Sequence, residues 1–310
     1  MILDFFKLIR YRNLLMIALM QFLFRYTFLI WQDVPLALCD FQYVLLVLST
    51  IFIAAGGYVI NDIFDQSTDA ENKPHKVFIG QAFSESTAYN IYVACTTLGV
   101  GLGFYLSNVI NKPSFATLFI LIAATLYLYA SNLKQNLLIG NIIIAALLSV
   151  SVLIIGVFEL YPVTNSENQP QMRVLFSIMI DYAVFAFVVN FLREIVKDLE
   201  DVNGDYNQGM TTLPIALGVK RTTQVVFVLS FVPIGMILYY INQYFINNNL
   251  WISAGYALCT VVAPLIYFSI KIFSAKKKKD FAHLSSILKI ILLFGIISIA
   301  VVTYNIHHHA

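Results

Sequence analysis

Apolar residues in this chain come in long continuous runs separated by short polar breaks, not in the alternation of a half-buried strand. Runs such as 141–158 and 287–302 are apolar all round, beyond the single stripe a soluble surface helix needs. About twenty apolar residues cross a bilayer as a helix. On that ruler the breaks predict nine spans, near 13–32, 41–63, 84–107, 114–132, 137–160, 173–197, 221–246, 249–273 and 281–305. A membrane barrel would show alternating segments of about ten residues instead. The expected fold class is all-α integral membrane, a single domain over 1–310.

Composition narrows this further. The 310 residues are 59% hydrophobic and 12% charged, about half the roughly 25% charged content of a soluble domain. With 25 Phe, 18 Tyr and a net charge of +2, both a water-soluble fold and a disordered chain are excluded. Cys39, Cys95 and Cys259 show no C-x-x-C spacing, so no disulfide framework or thiolate metal site is expected, and they read as small buried apolar residues. The first apolar stretch is longer than a signal-peptide core and lacks a small-x-small cleavage site, so it counts as a helix.

Charge sets the topology. Fifteen of the nineteen Lys and Arg residues fall at one end of the predicted spans, including Lys7, Arg12, Lys220, Arg221 and Lys271. The positive-inside rule places that end, and the N-terminus, in the cytoplasm and the C-terminus outside. Lys276 to Lys279 read as a topogenic or anionic-lipid contact. His307, His308 and His309 carry no assigned role.

The acids are the main chemical signal. Nine of seventeen lie in two windows, 61–71 and 194–205, at the cytoplasmic ends of the second and sixth spans. Residues three and four apart share a helix face, so Asp62, Asp65 and Asp69 form one expected stripe and Asp198, Asp201 and Asp205 another. Corresponding members stand 136 residues apart throughout. An internal duplication, about 1–135 and 136–273 with an extra helix at 281–305, accounts for that identity. Glu71, Glu194 and Glu200 lie off the repeated register and read as supporting or surface residues.

Like charges crowded at the edge of a low-dielectric slab require a cation between them. Carboxylates without His or Cys suit a hard ion, and Mg2+ in particular is commonly held by a few carboxylates with water and substrate phosphate. Asn61 beside the first stripe joins the candidate ligands. Basic residues for the phosphate come from the same face: Arg10, Lys73, Lys76, Lys134, Arg193 and Lys197. A phosphorylated substrate with an apolar tail fits such a rim. A cation-coupled carrier is the rival class, although carriers place their charges near the bilayer midplane. Nothing resembles a nucleic-acid surface or a Gly-rich nucleotide loop, and no obligate protein partner is inferred.

Asn61-Asp62-x-x-Asp65-x-x-x-Asp69 and Asp198-x-x-Asp201-x-x-x-Asp205, with Arg10-x-x-Asn13, Tyr129-x-x-x-x-Lys134 and the run from Arg193 to Asp205, resemble the UbiA superfamily of intramembrane prenyltransferases. The resemblance covers nearly the whole chain. It implies nine helices around a central cavity open to lipid, with a cytoplasmic cap after the second and sixth. It also implies Mg2+-dependent transfer of a prenyl chain from a prenyl diphosphate to a lipophilic acceptor, with Tyr129 and Lys134 at the reacting centre and Arg10, Asn13, Lys73, Lys76, Arg193 and Lys197 on phosphate. The segment 193–214 looks most like the branch that alkylates geranylgeranylglyceryl phosphate. Other branches prenylate aromatic quinone precursors such as 4-hydroxybenzoate or a dihydroxynaphthoate.

Overall fold

Long apolar segments satisfy their backbone polar groups internally only as helices, and a computed structural model, describing residues 2–72 and 77–309, shows helices throughout its long elements. Among the described residues, nine are long and apolar enough to cross a membrane: α1 Tyr11–Gln32, α2 Asp40–Phe64, α3 Glu85–Val109, α4 Pro113–Ser131, α5 Ile139–Val163, α6 Gln169–Asn207, α7 Val219–Ile246, α8 Trp251–Ser274 and α9 Lys278–His308. The protein is an integral membrane protein. Val228, Phe231, Ile270 and Phe273 stand exposed on the outer faces of α7 and α8, as an apolar solvent requires.

The core has two main parts. One packs α1, α2, α5 and the first half of α6 around Phe24, Tyr43, Ile155 and Met179. The other packs the second half of α6 against α7, α8 and α9 around Leu192, Val226, Phe268 and Leu288. Close helix contact draws on small residues: Ser49 Oγ donates to the Gly99 carbonyl at 2.6 Å across the α2–α3 seam. Ser84 accepts from the Thr87 amide at 3.2 Å and fixes the start of α3.

Two cysteines depart from expectation. Cys95 is buried, whereas Cys39 and Cys259 are exposed; Cys39 precedes α2 and Cys259 lies on α8, where apolar surroundings come from outside the protein.

At the end away from the acid windows, the first helix opens into a π-helical turn over Phe24–Leu29. There Arg25 is 4% exposed and pairs with Glu159 of α5, which is fully buried. The same guanidinium donates to the Leu38 carbonyl at 2.8 Å and to Asp40 at 3.1 Å, and it lies 4.6 Å from the centre of the Tyr43 ring. The second Glu159 oxygen accepts from the Leu38 amide at 3.2 Å. This clasp ties α1, the start of α2 and the end of α5.

Candidate active site

Where the short helix Ile2–Leu8 gives way to α1, Arg10 takes the left-handed conformation, with φ 52° and ψ 49°. Its Nη2 donates to Asp62 Oδ1 at 2.8 Å, and its guanidinium lies 4.9 Å from the centre of the Tyr58 ring one turn back along α2. Burial alone would lower the Arg10 pKa; the charge of Asp62, helped by Tyr58 and Asp69, outweighs it and holds the group above the ordinary guanidinium value.

The predicted continuous stripe from 62 to 69 breaks at its middle member. α2 stops at Phe64, Asp65 adopts φ −95° and ψ 7°, and a new short helix runs Gln66–Asn72. Both Asp65 oxygens are engaged: Oδ1 accepts from Lys134 Nζ at 2.5 Å and Oδ2 from Asn61 Nδ2 at 2.6 Å. Lys134 sits in the tight turn after α4. That turn closes down on Gly140 at the start of α5, where a Cβ would stand 2.9 Å from the Lys134 backbone and 3.3 Å from the Tyr129 ring. Tyr129 thereby lies within electrostatic reach of Asp65, Arg10, Glu194 and Asp198, charges drawn from both windows.

The second stripe stays on one unbroken helix, because α6 continues to Asn207 instead of ending near 197. Asp198 Oδ2 accepts from Asn141 of α5 at 2.8 Å. Asp205 is buried and its charge reaches Asp198. Asp201 lies 4.0 Å from Lys278 Nζ, which also donates to the Asn72 carbonyl at 2.6 Å. Lys276 to Lys279 are therefore not simply a topogenic run: Lys278 reaches into the cap.

The short helix Gln66–Asn72 lies along this end of α6. Asn72 Oδ1 accepts from the Gly204 amide at 3.1 Å, and a Cβ at 204 would come 2.4 to 2.7 Å from the Asn72 amide group. Ser67 donates to Gln208 at 3.2 Å and Asn207 donates to Glu71. Two windows far apart in sequence thus meet at one end of the helix bundle.

Asn13 donates to the Tyr58 hydroxyl at 3.3 Å. Arg193 and Lys197 both bind Glu194, at 3.2 Å and 2.8 Å, and Glu194 is buried; it is no surface acid but the residue that holds both cations. Asp69 lines a small cleft with Asp62, Gln66 and Val77 to Ile79. Lys73 and Lys76 lie outside the described residues. Asn141, Asn72 and Lys278 were not among the sequence candidates, and their types alone carry no chemical signal.

Among the described residues no three carboxylates close around a single point, because Asp62 turns to Arg10 and Asp65 to Lys134. The donor set still suits a hard divalent ion, since every candidate ligand atom is a carboxylate or amide oxygen. The buried Asn61 Oδ1 has no hydrogen-bond partner and is an acceptor of the kind such an ion uses.

A family profile described as the UbiA prenyltransferase family matches residues 15–303. The chain is 28% identical over 262 residues to a digeranylgeranylglyceryl phosphate synthase of Sulfurisphaera tokodaii, spanning 84% of this chain and 86% of that one. A solved structure concerned with digeranylgeranylglyceryl phosphate synthase in membranes shares the fold with a TM-score of 0.61, at 24% identity, over 96% of this chain and 98% of the other. A UbiA homologue from Archaeoglobus fulgidus, solved with DMAPP and Mg2+, matches at a TM-score of 0.58 and 15% identity over 96% and 99% of the two chains. With a profile match running almost end to end on an all-helical membrane fold, the chain belongs to the UbiA prenyltransferase family.

Proposed function

We propose that this prenyltransferase moves a geranylgeranyl group from its diphosphate to geranylgeranylglyceryl phosphate, forming an ether bond, with the site at the cytoplasmic rim. One observation carries the location of the chemistry: two acid windows meet beside Arg10, Lys134 and Tyr129 at one end of a membrane bundle. The acceptor rests on the relatives, which carry the name digeranylgeranylglyceryl phosphate synthase. The cytoplasmic placement rests on the bias of Lys and Arg to this end.

Asn61, Asp62, Asp65 and Asp69 from one window and Asp198, Asp201 and Asp205 from the other would hold Mg2+. Bound there, the ion supplies Lewis-acid neutralisation of charge growing on the departing diphosphate. Lys134 and Arg10 stand fixed on their aspartates and present positive charge to the same place with little reorganisation. The allylic C–O bond breaks with its electron pair leaving on the diphosphate; the acceptor hydroxyl oxygen attacks the allylic carbon and gives up its proton to the departing diphosphate. Aromatic walls stabilise the allylic cation and exclude water. Tyr58, Tyr129, Phe64 and Tyr127 are the candidates for this, Phe64 and Tyr127 packing edge to face with ring centres 6.0 Å apart.

The purified protein, given a geranylgeranyl donor and Mg2+, is expected to alkylate geranylgeranylglyceryl phosphate in preference to 4-hydroxybenzoate or a dihydroxynaphthoate. Turnover of an aromatic acid with none of the glyceryl ether would move the enzyme to aromatic prenylation.

A further inference from the structure

Lys289 lies inside α9, about 16 Å along the axis from Lys278 at 1.5 Å per residue. An ionisable group within a membrane helix is expensive and calls for a partner. Its ammonium donates to Asn13 Oδ1 at 2.6 Å, a neutral amide, and no carboxylate of the described residues pairs with it. The charges that reach it belong to Arg193 on α6 and Arg12 on α1, both cations. Positive charge from two further helices is thus directed at Lys289, from a part-buried Arg193 and an exposed Arg12 that bonds the Tyr11 hydroxyl. The nearby acid, Glu194, is already shared between Arg193 and Lys197. Arg193 also keeps a buried Nε–H with no hydrogen-bond partner. Such a cluster is complementary to a compact, doubly charged anion.

This cluster is separate from the cations that face the aspartates. Arg10 and Lys134 are committed to Asp62 and Asp65, on the side where the donor diphosphate belongs. Asn13 joins the two groups, since it accepts from Lys289 and donates to Tyr58, over whose ring Arg10 lies. A reaction between two phosphorylated lipids needs two anion subsites at one rim, and here they stand side by side.

Resting on the acceptor reading above, we propose that Lys289, with Arg12 and Arg193, binds the phosphate monoester of the acceptor where α1, α6 and α9 meet. The subsite selects a phosphorylated glyceryl ether over the same ether without its phosphate. It also fixes which end of the acceptor faces the rim, so that the glyceryl hydroxyl is presented toward Asp62 and Tyr58.

The test compares wild type with Lys289→Met and Lys289→Arg on geranylgeranylglyceryl phosphate and on unphosphorylated geranylgeranylglycerol. Lys289→Met is expected to raise KM for the phosphorylated acceptor about tenfold or more, as removal of one charged hydrogen bond does. Donor KM should stay within about twofold, and preference for the phosphorylated ether should fall by the same factor as the acceptor KM rises. Lys289→Arg should restore most of that preference. A rise in donor KM with acceptor KM unchanged overturns the proposal, as does an unaltered preference. Should Lys289→Met fail to fold, Arg12→Gln on the exposed side of the cluster is read in the same way. Thermal stabilisation of the donor-free protein by the phosphorylated ether, lost in Lys289→Met, reads the subsite without turnover. A wild type that is stabilised but does not turn over this ether would therefore sink the acceptor assignment alone. Equal stabilisation by phosphatidylglycerol, a phosphodiester, would make this a lipid-headgroup contact and overturn the proposal.

Discussion

Lys134 and Asp65 show how single side chains are set at this rim. Their side chains are 9% and 15% exposed, and the 2.5 Å contact fixes the ammonium on one oxygen while Asn61 fixes the other. Asp65→Asn removes the charge that orients Lys134 and deletes a candidate metal ligand. Its kcat is expected to fall about 10²- to 10³-fold, the range for loss of one preorganised electrostatic group, read as Mg2+-dependent release of diphosphate. Retained turnover in a folded variant would show that the acid window has another role. Arg10, Asp62, Asp65, Lys134 and Asp198 were legible in the chain because carboxylates and cations are scarce in so apolar a sequence, so their spacing stands out. Asn141, Asn72 and Lys278 were not. An amide or a lysine in a basic run is ordinary, and what makes them matter is a partner 57, 132 or 206 residues away. Glu194 was read as either supporting or surface; its burial against Arg193 and Lys197 makes it the former, a choice that register along one helix could not make.

At the level of elements, hydropathy located the nine membrane-length helices of the described residues to within a few residues at most ends, because their apolar runs are set by a solvent of fixed thickness. At the cap it placed the end of α2 to within one residue but missed the short helix that follows and the continuation of α6. α2 ends at Phe64 and the chain restarts as Gln66–Asn72, while α6 runs on to Asn207, ten residues past the expected 197. Neither event is written in hydropathy: each depends on the short helix packing against the extended one. Gly204 is the contact point, since no room exists for a Cβ beside the Asn72 amide. Gly204→Val is expected to push the short helix off α6. In a cysteine-free background carrying Ser67→Cys and Gln208→Cys, whose native side chains lie 3.2 Å apart, a short bismaleimide should join the pair at least about tenfold more slowly once Gly204→Val is added. Unchanged crosslinking would show that the cap is held elsewhere. The proposed duplication draws on the 136-residue interval in the acid windows, and it would have each half supply one of the helices that meet at this cap.

For the molecule as a whole, the bundle has a polar end built for chemistry and an opposite end closed by the Arg25–Glu159 clasp. Arg25→Ala leaves a carboxylate fully buried among apolar residues, and removing one partner of a buried pair typically destabilises by about 3–5 kcal/mol. A corresponding loss is expected in unfolding from mild detergent. Arg25→Met combined with Glu159→Gln removes both charges while keeping an acceptor for the Leu38 amide, and should recover more than half of it; no recovery would mean that the ions themselves are needed. The clasp was invisible as a pair in the sequence, where Arg25 stood merely as a lone cation inside a span and its partner lay 134 residues on. That separation bears on how the chain is made. When the first helix leaves the ribosome, Arg25 must enter the bilayer with only Asp40, fifteen residues later, to shelter it at the interface. Its buried counter-ion arrives only with the fifth helix. Release of the early helices into lipid one at a time would strand a cation in hydrocarbon, so biogenesis has reason to retain the first five beside the insertion machinery and let them go together.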